Sequence, residues 1–275
     1  MNKGLNAIKN IIWVLGIMAS VVALLIGIVF SLSHRFYGDR LDGTLDIRGS
    51  KVTVVKPNKP DSAQGAPDGT LAELNSTQDA GIEYVFSLTY LCDSTIMGLN
   101  DYASSYNSAA KANMWSAGSL PAANASDTMI TSPSDGSQII PGTAAMVYQP
   151  KRMVIYLGGD GLAGATQDSF INGYTKLIKD IQASSPNTSI VCCSIGSIAA
   201  AYTGSDGLTV EQFAQANAWI KTVCRNTGVQ FADLASILNG DNGYLKVEYA
   251  APDGRSLNSA GINELISYFR LHASV

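Results

Sequence analysis

Histidine is nearly absent: the 275 residues contain two, His34 and His272. General-base chemistry near neutral pH therefore has few places to sit. Zinc has little to bind, because its sites draw on His and Cys together. Cysteine is also sparse, at Cys92, Cys192, Cys193 and Cys224, with no CxxC pair or metal-like spacing. Cys192 and Cys193 lie in an apolar run, so they should face opposite sides of a strand. They read as buried thiols packing as small apolar side chains. A disulfide from one of them to Cys224 is compatible with an oxidising compartment. Charged residues make up only 15% of the chain and the net charge is −4. No basic cluster exists, which argues against a nucleic-acid partner. Nothing in the chain implies a cofactor, and there is no internal repeat.

One apolar run is long. Ile11 to Leu32 carries no charge over 22 residues. At about 1.5 Å per residue it can cross a hydrocarbon core of roughly 30 Å. Signal-peptide apolar regions are shorter, about 7–15 residues. Lys3 and Lys9 precede the run, while Arg35 and Arg40 follow it and oppose the positive-inside bias. We expect a single-pass cell-membrane anchor with the bulk of the chain extracytoplasmic. Cleavage near Ser31-Leu32-Ser33 is the alternative. The expected organisation is a cytoplasmic tail at 1–10, an anchor at 11–32, a short strand and linker at 33–81, and a globular domain at 82–275. The strand candidate is Lys51–Val55. Residues 57–81 are rich in Pro, Gly, Ser, Asn and Asp and read as linker.

Within the globular part, strand and helix patterns alternate. Tyr84–Leu91, Arg152–Leu157, Ser189–Ile195 and Val229–Ala232 read as strands. Phe170, Tyr174, Leu177, Ile178 and Ile181 recur at helical spacing, predicting a helix over Gln167–Ser184 with Thr166 as its N-cap. Thr209 and Gln212 fit a capping box that opens a second helix, and Gly228 suits its C-terminus. Asn263–His272 closes the chain as a third. This order predicts an α/β three-layer sandwich with a mainly parallel sheet. Its ligand site should lie beyond the carboxyl ends of the strands.

Three segments fall at such ends or before the last helix: Cys92-Asp93-Ser94, Gly158-Gly159-Asp160-Gly161 and Asp253-Gly254-Arg255-Ser256. In this order and spacing they resemble the SGNH, or GDSL-type, ester hydrolases, over about two thirds of the chain. The branch most similar is bacterial, with a membrane anchor and an extracellular esterase-like domain. The resemblance implies a flavodoxin-like fold. It makes Ser94 the nucleophile and assigns Gly118 and the neighbourhood of Gly158 to the oxyanion pocket. Asp160 stands where the family has an oxyanion-donating asparagine. Asp253 matches the aspartate of the last block, and Ser256 stands in the position of the family's histidine.

Both departures carry physical consequences. A serine hydroxyl is a weak nucleophile without a base beside it, and Ser256 is no proton acceptor near neutral pH. An ionised Asp160 accepts hydrogen bonds where an amide would donate, and it would repel a developing oxyanion. His272 lies one helix away from Ser256, and His34 lies beside the membrane. Two functions follow as expectations. One is an ester hydrolase of impaired activity acting on acylated carbohydrate or a cell-envelope polymer. The other is a pseudoenzyme that binds a ligand or partner through the retained pocket. Trp115 and Trp219 read as packing residues.

Overall fold

The computed structural model describes residues 69–132 and 135–274, together with the backbone of strands β1 (Thr44–Ile47) and β2 (Ser50–Thr53). The chain divides into two units at Lys59. In the first, β1 and β2 pair as an antiparallel hairpin. The strand read at Lys51–Val55 overlaps β2. The run Ile11–Leu32 lies outside the described residues. Among the described residues, no helix is long and apolar enough to cross a membrane.

The second unit is built on a six-stranded sheet of order β3-β10-β9-β8-β4-β5. Its strands are β3 (Ala72–Glu73), β4 (Thr89–Cys92), β5 (Met114–Ser116), β8 (Arg152–Tyr156), β9 (Ser189–Cys193) and β10 (Gln230–Ala232). Every pairing in it is parallel. Near-continuous burial along β4, β8 and β9 marks strands covered on both faces. Right-handed crossovers explain the covering. The chain moves one way along the sheet from β3 through β4 to β5, then reverses through β8, β9 and β10. Reversal places the two sets of connecting helices on opposite faces.

One set comprises α1 (Gly81–Ser87), α2 (Leu99–Tyr106) and α3 (Ser108–Ala112). A small β6–β7 ribbon (Ile130–Thr131, Gln138–Ile139) precedes the second set. That set comprises α4 (Pro141–Tyr148), α5 (Gln167–Ser184) and α6 (Val210–Thr227), packed side by side. A short α7 (Ala235–Leu238) and the closing α8 (Ser259–Leu271) complete the unit. Helices α5 and α6 begin where their capping residues lie. Thr166 and Thr209 each close a reciprocal capping box, and Gly228 ends α6 in the left-handed conformation. The stripe Phe170, Tyr174, Leu177, Ile178 and Ile181 is fully buried, as are Trp115 and most of Trp219. All four cysteines are buried free thiols.

Two sequence expectations need correction. Tyr84–Leu91 is not one strand, because its first half forms the end of α1 and only Thr89–Cys92 is extended. Val85, Phe86 and Leu88 are buried at spacings a helix also satisfies. Docking on α8 decides the matter: Asp79 accepts the Gly81 N–H at 2.8 Å and pairs with Arg270. The segment 57–81 is not linker throughout. Ala72–Glu73 joins the sheet edge beside β10, with the Leu74 N–H donating to the Phe231 carbonyl at 2.8 Å.

Gly173 lies inside α5, where alanine would ordinarily be favoured by about 1 kcal/mol. A Cβ here would lie 2.1 Å from the Ala123 carbonyl oxygen, a backbone atom. The Gly173→Ala variant should therefore lose stability by about 1–3 kcal/mol, the usual cost of overpacking. A lower urea midpoint than wild type, at unchanged slope, checks this.

Candidate functional site

Strand β4 has β5 on one side and β8 on the other, and the chain reverses direction between visiting them. A crevice opens beyond the carboxyl ends of strands at such a switch point. Asp93 follows β4 directly and is wholly buried. Its Oδ1 accepts the Thr95 N–H at 3.1 Å and the Thr95 hydroxyl at 2.6 Å. Its Oδ2 accepts N–H groups from Gly158 (3.1 Å), Gly159 (2.8 Å) and Asp160 (3.4 Å). The turn after β8 thus wraps a carboxylate with successive amides, an anion-holding nest. Glycine is required there. Gly158 has φ +141°, and a Cβ on Gly159 would lie 2.9 Å from the Thr95 methyl carbon. Burial above all, then the charge of Asp160, raises the Asp93 pKa, against the hydrogen bonds from Thr95 and Gly159.

Ser94 opens a single 3₁₀ turn, Ser94–Ile96. Its hydroxyl donates to Asp160 Oδ1 at 2.6 Å and its N–H donates to Oδ2 at 3.0 Å. The Leu120 N–H donates to the same Oδ2 at 2.9 Å. Arg255 completes the shell, with Nη2 3.0 Å from Oδ1. Each oxygen of Asp160 therefore has two donors. The side chain of Asp160 is 4% exposed and that of Arg255 is 23% exposed. Removing one partner of a pair this shielded leaves a buried charge uncompensated, which costs far more than losing a surface pair.

Arg255 comes from a turn that Asp253 organises. Asp253 Oδ1 accepts the Arg255 N–H at 2.9 Å and the Ser256 N–H at 2.8 Å, and Oδ2 accepts the Ser256 hydroxyl at 2.6 Å. The turn docks on the segment after β4 through the Leu257 N–H, which donates to the Thr95 carbonyl at 2.9 Å. Partial burial pushes the Asp253 pKa up. Hydrogen bonds from Ser256 and Arg255, with the guanidinium charge, outweigh burial and leave it below the ordinary carboxylate value.

The matching family model decides the kinship: that of the GDSL-like lipase/acylhydrolase family covers residues 93–274, about two thirds of the chain. The chain belongs to this family. Similar solved structures include a Bacteroides fragilis protein described as an acylhydrolase, at 13% identity and TM-score 0.48, covering 74% of this chain and 90% of that one. A GDSL-like lipase from Bacteroides thetaiotaomicron aligns at 12% identity and TM-score 0.44, over 66% of this chain and 84% of its own. The OSK domain of Drosophila Oskar aligns at 12% identity and TM-score 0.44, over 74% and 95%. No curated protein matches the sequence.

Of the residues expected in this GDSL-like site, Ser94, Gly158 and Asp160 come together. Asp253 and Ser256 bond to each other, and among the described residues neither hydrogen-bonds Ser94. Gly118 is exposed and makes none of these contacts. The backbone donor is Leu120, two positions on, because the loop turns inward only there. His272 closes α8 with Nδ1 against the Tyr268 carbonyl at 2.9 Å and its ring stacked on Tyr268. Arg255 went unread, although its signal was present. A buried carboxylate calls for a nearby cation, and Arg255 is the cation in the quoted blocks. Among the described residues, no group of three or more His, Cys, Asp or Glu is arranged to hold a metal ion.

The lowered Asp253 pKa sets a pH dependence. Its stabilising contribution is present above the unfolded value, near 4, and is lost as pH falls through the lower folded value. Asp253→Asn should therefore lose less stability than wild type on acidification from about pH 4 to pH 2. Denaturation midpoints across that range test it, and parallel curves would refute the assignment.

Proposed function

We propose that this GDSL-family domain no longer performs the family's triad hydrolysis and serves as a pseudoenzyme that binds through its retained pocket. One observation carries the reading. The Ser94 hydroxyl donates to Asp160, a carboxylate already paired with Arg255, while the Asp253 carboxylate is occupied by Ser256. Among the described residues, no imidazole stands between Ser94 and an acid. A carboxylate is a far weaker base than imidazole, and serine needs a well-matched base to attack. The backbone N–H groups of Ser94 and Leu120 converge on Asp160 Oδ2 rather than on open space. A developing oxyanion would meet negative charge there. The ligand class we assign is an acylated saccharide or cell-envelope polymer. This choice rests on the family's ester chemistry and on an extracytoplasmic placement.

That placement is part of the proposal. The uncharged run Ile11–Leu32, preceded by Lys3 and Lys9, supports a single-pass anchor with the GDSL domain outside. The full chain should sediment with membranes and resist carbonate extraction. Protease added to intact cells or spheroplasts should degrade the domain; protection would overturn the orientation.

A fluorophosphonate probe should leave Ser94 unlabelled, and p-nitrophenyl acetate turnover should equal that of Ser94→Ala. Turnover at least tenfold above that variant would overturn the reading. Asp253 is already placed to orient a side chain at 256. Combining Ser256→His with Asp160→Asn should therefore raise turnover above wild type by at least tenfold, through a restored base and a restored donor.

A further inference from the structure

The donors around Asp160 saturate both oxygens of its carboxylate. Two donate to Oδ1, the Ser94 hydroxyl and Arg255 Nη2, and two to Oδ2, the N–H groups of Ser94 and Leu120. They come from three separate segments, after β4, before α4 and in the Asp253–Ser256 turn. Two donors on each of two oxygens, with one full positive charge, is the coordination of a small planar carboxylate. A tetrahedral phosphate carries more oxygens than the paired donors address, and more bulk than a carboxylate group vacates. Arg255 Nε is buried without a hydrogen-bond partner. Among the described residues, the side chain that hydrogen-bonds this guanidinium is Asp160.

We propose that this cradle is a binding site for small monocarboxylates that the chain fills with its own carboxylate, so that Asp160 is a tethered occupant. The inference rests on the reading of Ser94 as non-catalytic, since a working hydrolase must leave these donors free for substrate. It goes further by identifying the ligand class that the cradle accepts once Asp160 is removed. Size matching makes it specific. Asp160→Ala keeps Cβ and deletes a carboxylate, so the missing piece is formate. Asp160→Gly deletes the methylene as well, so the missing piece is acetate. Asp160 does not have positive φ, so glycine adds no backbone requirement.

Thermal unfolding in chloride, formate and acetate at matched ionic strength tests this. Both variants should unfold below wild type in chloride. Formate should raise the Asp160→Ala midpoint by about 2–4 °C over chloride, and acetate by less. For Asp160→Gly the order should reverse. Wild type should not distinguish the three salts. Adding Arg255→Gln to Asp160→Ala should at least halve the formate effect. Equal responses to formate and acetate in both variants would overturn the proposal. If a variant fails to fold in chloride, refolding yield replaces the midpoint. Yields that are equal, or absent, in all three salts for both variants would also overturn it. Ester turnover by wild type would refute the preceding reading while leaving the salt response measurable, so the two failures are distinguishable.

Discussion

A carboxylate with no access to water holds the carboxyl end of the central sheet together. Asp93 accepts donors from its own turn and from the turn after β8, joining the two strands that flank the switch point. Burying such a charge is costly unless it is fully hydrogen-bonded. Four close donors, three of them backbone amides, meet that cost. The amides can approach only because Gly158 and Gly159 bring backbone where a side chain would collide. Ser94 and Asp160 are therefore adjacent for a reason that precedes any chemistry between them. Each is the next residue beyond a clamp that fixes both loops.

Asp160 raises the electrostatic difficulty and Arg255 resolves it. Two carboxylates at neighbouring positions repel, and the charge of Asp160 is one cause of the raised Asp93 pKa. Arg255 supplies the countercharge, held by a turn whose geometry Asp253 sets. Asp253 thus acts as a turn organiser that delivers a cation to the buried carboxylate. Asp160 and Arg255 lie 95 positions apart in sequence, yet in three dimensions they form one unit, an anion and its countercharge.

Much of the architecture was legible because its signals are local. Helix α5 announces itself by the spacing of Phe170, Tyr174, Leu177 and Ile181 and by Thr166 at its start. The ends of β4, β8 and β9, at Cys92, Tyr156 and Cys193, lie within two residues of those expected, where apolar runs meet glycine, aspartate or serine. What escaped depends on distant partners. Residues 81–87 are helical because α8 receives them, and Ala72–Glu73 extend because Phe231 offers a free carbonyl. Ser94, Gly158 and Asp160, singled out in the sequence, lie just beyond strand ends and come together. Gly118 was misplaced because a backbone N–H carries no side-chain signature, so Leu120 could not be told from its neighbours. Arg255 was readable only by asking what a buried carboxylate needs.

The four thiols lead to a different property. Cys92, Cys192 and Cys193 are buried, and desolvation pushes all three toward the unreactive neutral form. Cys224 is buried as well. None is joined to another, and the core closes around them without any covalent bridge. The thiolate is the species that exchanges and oxidises, and at Cys92, Cys192 and Cys193 it is both disfavoured and out of reach. No covalent crosslink restricts the unfolded chain of this domain, so packing and hydrogen bonding alone hold it folded.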